Sequence, residues 1–493
     1  MKKAFVFLSL LLALASCVES QTFDDFLAQL NAAPMDQRPA LVDSFMSAAS
    51  AFPIVEQDTL AHFIYRGSVQ SVSVPGDFNA WTIGASPLEL VAGTDFWHRT
   101  GSYENDARLD YKFVLNGSTW ILDPLNPLSV LGGFGPNSEL RMPGYEVPPE
   151  IAFYSEIPHG SFQDTVFYST NMGNSRTIRV YLPPTYITSA DSCPLILFHD
   201  GLEYISLANA NNVLDYLIYQ ERIVPIIAVF VPPVNRNAEY AGSLQDQFAS
   251  FIVDELIPWV DSRFRILAGP ENRAVLGASN GGNISLWLGL HHSEIFGHVA
   301  AQSSYIQSSI SDGFQNGPGL DLKIYMDLGT YDLPPLIPLV RNFIPILQEK
   351  EYIYQYQEYH EGHSWGFWRA HVDDALEMFF PAGQSPTEPW PSTQPSQDIP
   401  SGFHLDQNYP NPFNPGTTIG FFLEQAATVS LTIYNILGQK IRTLFEKNAL
   451  AGRHSVIWDG KDGNGHQLPS GLYLCRLRID GEFKDARRMV LLR

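Results

Sequence analysis

The hexapeptide Gly277-Ala278-Ser279-Asn280-Gly281-Gly282 constrains this chain more than any other stretch of it. It fits G-x-S-x-G. The run before it, Arg273-Ala274-Val275-Leu276, has the composition of a short buried strand, and the run from Asn283 to Leu290 that of a helix. Strand, sharp turn and helix together are the context of a nucleophile elbow. Glycines on both sides relieve the crowding of such a turn and let the serine hydroxyl stand clear of the backbone. A glycine-rich turn with a chance serine is the plain alternative, and the flanking strand and helix argue against it.

A serine hydroxyl is a weak nucleophile until a base takes its proton, and the base must be oriented by an acid. In the fold that uses this elbow the order along the chain is serine, acid, histidine. Lys323 to Gly329 reads as a strand and is followed by Thr330-Tyr331-Asp332. Asp332 falls just past the strand end, where loops on a rigid scaffold carry functional groups, whereas Asp327 lies within the strand and reads as structural. Leu336 to Gln348 is amphipathic. The alternating run Tyr352 to Tyr359 predicts a strand ending in His360-Glu361-Gly362-His363-Ser364-Trp365. His363 sits in a glycine-containing loop before a final helix, the place expected of the base; His360, nearer the strand, is its rival. Acyl transfer also needs donors for the tetrahedral oxyanion. One is the backbone N–H of Asn280, after the nucleophile; the other is assigned to Leu202, after the strand Pro194–His199 and the pair Asp200-Gly201, which could also be an ordinary turn.

These residues resemble the esterase D and enterochelin-esterase group of α/β-hydrolases. The resemblance covers residues 158–381 and rests on His199-Asp200-Gly201, the elbow, the Gly329-to-Asp332 loop and Gly362-His363-Ser364-Trp365. It implies a three-layer αβα domain with Ser279 as nucleophile, His363 as base and Asp332 as acid. Asp200, Glu203, Tyr204, Arg236 and Trp365 are then candidate pocket residues. Arg236, Glu239 and Tyr240 match a family loop that is either a pocket wall or a brace. The mycolyltransferase branch of the superfamily has a similar Asp-Gly-Leu loop, which supports Leu202 and leaves acyl transfer to another acceptor open. Fold similarity does not choose the substrate.

The chain opens Met1-Lys2-Lys3, an apolar run Ala4–Leu14 and small residues, the pattern of a secretory signal peptide over residues 1–20 and too short for a membrane span. Leu14-Ala15-Ser16-Cys17 also resembles a bacterial lipobox. Residues 21–52 read as helical, with Phe23, Phe26, Leu27 and Leu30 on one face. Short strands with regular turns over residues 53–148 predict a β-sandwich. Pro75 to Trp81, Tyr111-Lys112-Phe113, Trp120 and Asp123-Pro124 resemble a glycogen-binding module of the E-set type. That resemblance implies sugar contact by Trp81, Lys112 and Trp120, or else a domain that covers the mouth of the site over residues 149–381. A Pro/Ser/Thr-rich linker spans residues 382–402. Alternation with glycine turns over residues 403–493 predicts a second, immunoglobulin-like sandwich. The Asn-Pro-rich opening 408–415, Tyr434-Asn435 with Gly438-Gln439 and the tail Arg488–Arg493 resemble a type IX secretion sorting domain. That implies the outer-membrane secretion machinery as a partner, and a cell-surface or extracellular location.

Thirty basic against 52 acidic residues leave a net charge of −22, which disfavours nucleic acid as a partner. No metal-ligand spacing stands out, and no cofactor is expected. The whole predicts a multidomain protein, a central α/β-hydrolase flanked by two small all-β sandwiches. The function expected is that of an exported serine carboxylic-ester hydrolase working through an acyl-enzyme. Two alternatives stay open: a feruloyl or acetyl polysaccharide esterase with a carbohydrate-binding module, and a silent glycan-binding protein on a hydrolase scaffold. The last requires a misassembled triad, for instance with Asp332 facing away from His363.

Overall fold

The computed structural model describes residues 21–133, 135–383, 403–405, 417–423, 426–435, 439–449, 452–463 and 465–491. The expected signal segment with its lipobox, the linker beyond residue 383 and the Asn-Pro-rich opening lie outside these residues. The chain divides into two compact units, Met1–Trp390 and Pro391–Arg493.

The first unit is organised by one sheet of eleven strands. From one edge it runs Ser161–Ser169, Asn174–Leu182, Ile227–Val231, Leu195–His199, Arg273–Ala278, His298–Gln302, Lys323–Tyr331 and Ile353–Gly362. The last six of these are mutually parallel. Ile227–Val231 and Leu195–His199 are buried at every position, as continuous apolar runs are when helices cover both faces of a parallel sheet. On one face, Phe248, Ile284, Val299 and Phe343 belong to one core; on the other, Phe198, Ala300, Phe367 and Leu376 belong to a second. This is the three-layer arrangement expected. The helix Asn280–His291 buries eight of its twelve residues, so its sequence is apolar nearly all round.

The N-terminal region departs from expectation. Its helical segment is two helices, Phe23–Ala32 and Arg38–Ala48, the first capped by a reciprocal Thr22–Asp25 box and burying Phe23, Phe26 and Leu30. The run from Leu109 to Leu115 is not one strand but divides at Lys112. Phe113–Leu115 joins a three-stranded sheet, while Arg108–Tyr111 joins the large one. Arg108–Tyr111, Gly135–Arg141 and Ser129–Gly132 continue the hydrolase sheet beyond Ile353–Gly362, through a parallel pairing of Glu361 with Arg108. The N-terminal all-β region keeps a core of its own, with Phe63, Val72, Trp97, Leu109 and Leu140 buried together, while one of its sheets is continuous with the hydrolase sheet. The junction is confined to the end of Ile353–Gly362, where Glu361 pairs with Arg108 next to the loop that carries His363.

The second unit is a sandwich with its own core. One sheet holds Phe403–Leu405, Thr417–Leu423 and Gly452–Trp458; the other holds Lys440–Ala449, Ala427–Asn435, Gly471–Ile479 and Glu482–Leu491. Ile419, Phe421, Leu431, Trp458 and Leu477 are buried between them.

Candidate active site

Ser279 stands at the turn between Arg273–Ala278 and Asn280–His291 with φ 57° and ψ −121°. A non-glycine residue there is strained and persists only where its surroundings dictate it. Here they do. The Ser279 N–H donates to the Gln302 carbonyl at 2.8 Å, and its own carbonyl accepts from the N–H groups of Gly282, Asn283 and Tyr305. A Cβ on Gly277 would come within 2.4 Å of the Gly281 backbone, so the turn closes only around glycine. The Asn280 N–H opens the helix and has no carbonyl one turn behind it.

Asp332 lies one residue beyond the strand Lys323–Tyr331, and His363 one residue beyond Ile353–Gly362. The parallel pairing of these two strands brings the residues together, His363 Nδ1 standing 2.8 Å from Asp332 Oδ1. The same oxygen accepts the Leu333 N–H at 2.6 Å. With an ionised carboxylate as partner, Nδ1 carries the proton and Nε2 is left as the acceptor. The His363 ring is gripped edge-on by Trp368, with centroids 5.0 Å apart. No hydrogen bond joins Ser279 to His363 among the described residues; such bonds are often loose until substrate is bound. Both side chains line one cavity of about 780 Å³.

The rival residues lie elsewhere. Asp327 is wholly buried, accepts from Gln302 Nε2 at 2.9 Å and from the Ser303 N–H at 3.0 Å, and is pushed up to about 7 by burial. His360 pairs with exposed Asp106 at 2.6 Å. The instance of misassembly named for the silent-scaffold reading, Asp332 turned from His363, is not what the geometry shows.

On the other side of the elbow, Asp200 takes a left-handed conformation (φ 52°) ahead of the short helix Gly201–Ser206, at whose start the Leu202 N–H is free of a helical partner. Arg236 forks onto the Asp200 carboxylate at 2.7 and 2.8 Å and also reaches the Ala278 carbonyl at 3.1 Å. The Asp200 N–H donates to the Tyr240 hydroxyl at 2.9 Å. Glu239 pairs with buried Arg176 and accepts from the N–H groups of Val234 and Asn235. Arg236 is therefore both wall and brace, while Glu239 and Tyr240 are braces. Beneath them burial holds His199 at about 3, so it is neutral.

Asp200, Glu203, Arg236 and Trp365 line the cavity as expected. Tyr204 does not: it is fully buried behind the wall, its hydroxyl donating to Gln302 Oε1 at 2.9 Å. The helix that carries it turns it toward the core. Trp81, Lys112 and Trp120 line the same cavity as Ser279, with Trp81 and Trp120 stacked at 6.4 Å and Trp120 42% exposed. The aromatic stripe thus faces the reaction site and is not a separate surface. Asp110, Asn137, Pro233, Val234 and Leu333, which the sequence did not single out, also line the cavity.

Residues 169–379 match the family model described as "Putative esterase", and residues 411–479 match one described as an FlgD Ig-like domain. An iron(III) enterobactin esterase of Escherichia coli is 25% identical over 262 residues, 47% of this chain and 63% of that protein. An endo-1,4-beta-xylanase/feruloyl esterase of Xylanibacter ruminicola is 28% identical over 188 residues, 34% of this chain and 26% of that protein. Among solved structures, an enterobactin esterase of Shigella flexneri, determined in the presence of enterobactin, superposes with a TM-score of 0.58 at 21% identity, covering 68% of this chain and 97% of that one. The chain thus spans less than two thirds of the two named relatives. The chain is a carboxylic ester hydrolase with a central enterochelin-esterase-like α/β-hydrolase fold.

Proposed function

We propose that this protein hydrolyses esters bearing a flat aromatic ring through a Ser279–His363–Asp332 triad and an acyl-enzyme intermediate. The observation that carries the reading is the 2.8 Å contact of His363 with Asp332 beside a strained serine on the wall of the same cavity. His363 takes the Ser279 proton as the hydroxyl attacks the ester carbonyl, then returns it to the leaving alcohol; Asp332 keeps the imidazole in the required tautomer. The N–H groups of Asn280 and Leu202 hold the oxyanion. Water repeats the sequence on the acyl-enzyme. The stacked Trp81–Trp120 pair supports a planar substrate group, since aromatic rings pack on one another in offset or tilted pairs. An enterobactin esterase of Shigella flexneri was also determined in the presence of 2,3-dihydroxy-N-benzoyl-serine, and the Xylanibacter ruminicola relative is named a feruloyl esterase; the N-benzoyl and feruloyl groups both carry such a ring.

A feruloyl polysaccharide substrate is the second reading, favoured by the opening of the tryptophan pair to solvent at Trp120. Hydrolysis of p-nitrophenyl acetate, methyl ferulate, feruloylated xylan and a catecholate siderophore ester, each by the wild type and by Ser279→Ala, separates these. Turnover that survives in the variant refutes the triad. We further propose that the protein is exported to the cell surface or medium, with residues 403–493 as its sorting signal. A self-contained core in that unit supports this, as does the signal-like N-terminus. Cell fractionation with and without residues 403–493 is the test, and unchanged export without them would sink it.

A further inference from the structure

Arg108 is the one arginine in the described residues whose side chain is wholly buried at 0%, and it lies beside the catalytic loop while belonging to the N-terminal region. Its guanidinium donates to Asp110 at 2.7 Å, to Glu139 at 2.5 Å and to the Ser364 hydroxyl at 3.1 Å, and stands 3.6 Å from Glu361. Ser364 and Glu361 bracket Gly362 and His363. Gly362 is held as well: a Cβ there would come within 2.0 Å of Asp77 Cγ, so the loop lies flat against a buried carboxylate of the N-terminal region. Asp77 in turn accepts from the Asp110 N–H at 2.7 Å and from the Trp81 indole at 2.9 Å. Gly366 closes the cradle, its missing Cβ leaving room for the Arg108 guanidinium.

We propose that Arg108 is a positioning residue for the catalytic base: it fixes Glu361 and Ser364, and so sets where His363 stands relative to Ser279. The inference rests on the triad reading above. Three of the four residues from Glu361 to Ser364 are pinned from the N-terminal region, and the fourth is His363. A planar, permanently charged fork is suited to this task, because one group can hold a carboxylate and a hydroxyl at fixed angles. Displacement of a catalytic group by about 1 Å costs on the order of a hundredfold in rate. A role confined to joining the two regions would cost stability and leave turnover per folded molecule alone.

The test compares full-length Arg108→Met, Arg108→Lys and Ser279→Ala with the wild type. The readouts are kcat and KM on methyl ferulate, normalised to the count of folded molecules. Arg108→Met is expected to lower kcat about a hundredfold at unchanged KM, with Arg108→Lys recovering part of the loss. A kcat within about twofold of wild type in folded Arg108→Met overturns the proposal, whatever its melting temperature. Should Arg108→Met fail to fold, Glu361→Gln and Ser364→Ala decide; the first weakens the ion pair to Arg108 and the bond to His371, the second removes the bond to Arg108 and the cap on the Phe367 N–H, so both are read as kcat per folded molecule. A drop in kcat of about tenfold at constant KM upholds positioning, and unchanged kcat in both overturns it. Turnover by Ser279→Ala would instead defeat the triad reading, whereas a dead Ser279→Ala beside wild-type-like Arg108 variants defeats the positioning inference alone.

Discussion

The two halves of the triad are built by different means. The nucleophile half is local: Ser279 is fixed by a six-residue turn, by backbone bonds to Gln302 at the end of the neighbouring strand and to Tyr305 in the loop after it, and by the helix that starts at Asn280. The base half is assembled from afar. His363 meets Asp332 because two parallel strands end side by side, and its loop is pressed on by Asp77 and Arg108, both of the N-terminal region and far earlier in the chain. A local device tolerates change elsewhere. A distributed one carries the N-terminal region into the chemistry, as the walls contributed by Trp81, Lys112 and Trp120 also do.

The sharpest break of this comparison is Ser279→Ala. It is expected to cost about a millionfold in kcat while leaving the melting temperature near wild type, since the strain sits in the backbone and a hydroxyl is all that is lost. Steady-state kinetics and a thermal melt check both arms. Asp332→Asn should follow with a loss of about ten-thousandfold, because the amide can donate to Nδ1 and leave the proton on the wrong nitrogen. Equal kcat for Asp332→Asn and wild type would show that the carboxylate does not orient the base.

How much of this was legible in the sequence follows the same division. The elbow was readable because everything that defines it lies within about one strand and one helix of Ser279. Asp332 and His363 were readable through chain order, and choosing them over Asp327 and His360 needed only their places past strand ends. The fusion of the N-terminal strands with the hydrolase sheet was not readable. Arg108 and Glu361 pair across the fold, and nothing near either residue announces the other. Tyr204 fails for a simpler reason: closeness to Asp200 in sequence suggested the pocket, but the helix Gly201–Ser206 turns Tyr204 inward while Glu203 faces the cavity. The tryptophans were singled out by a resemblance that implied either sugar contact or a domain covering the mouth of the site, and it is the cavity they share with Ser279 that the sequence alone did not locate.

A milder test asks whether the N-terminal wall takes part in substrate choice. Trp120→Ala removes half of the stacked pair while touching neither Ser279 nor His363. KM for methyl ferulate should rise about tenfold with kcat held, and p-nitrophenyl acetate, with its small acyl group, should respond less. A uniform loss on both esters would mean that Trp120 supports the fold of the mouth and does not contact the ring.

The smallest expected effect concerns the support beneath the nucleophile. Gln302 links Ser279 to Asp327 from the strand between them: its carbonyl accepts the Ser279 N–H, and its amide donates to Asp327 Oδ2 at 2.9 Å. Burial raises Asp327 from 3.8 to about 7, more than its hydrogen bonds and the nearby His371 lower it. Between those values the folded protein keeps a proton that the unfolded chain has released. Stability from this group is therefore full below pH about 4, falls as pH climbs to about 7, and stays at the lower level above that. Asp327→Asn has no such proton, so the difference in melting temperature between variant and wild type should shift in the variant's favour from about pH 4 to about pH 8. Turnover should change little, because Asp327 does not touch His363 and the strained turn at Ser279 keeps its backbone partners. Parallel melting curves for the two proteins across that range would show that Asp327 is ionised in the fold. The support under Ser279 would then be held by charge on the Asp327 carboxylate rather than by a neutral hydrogen-bond chain.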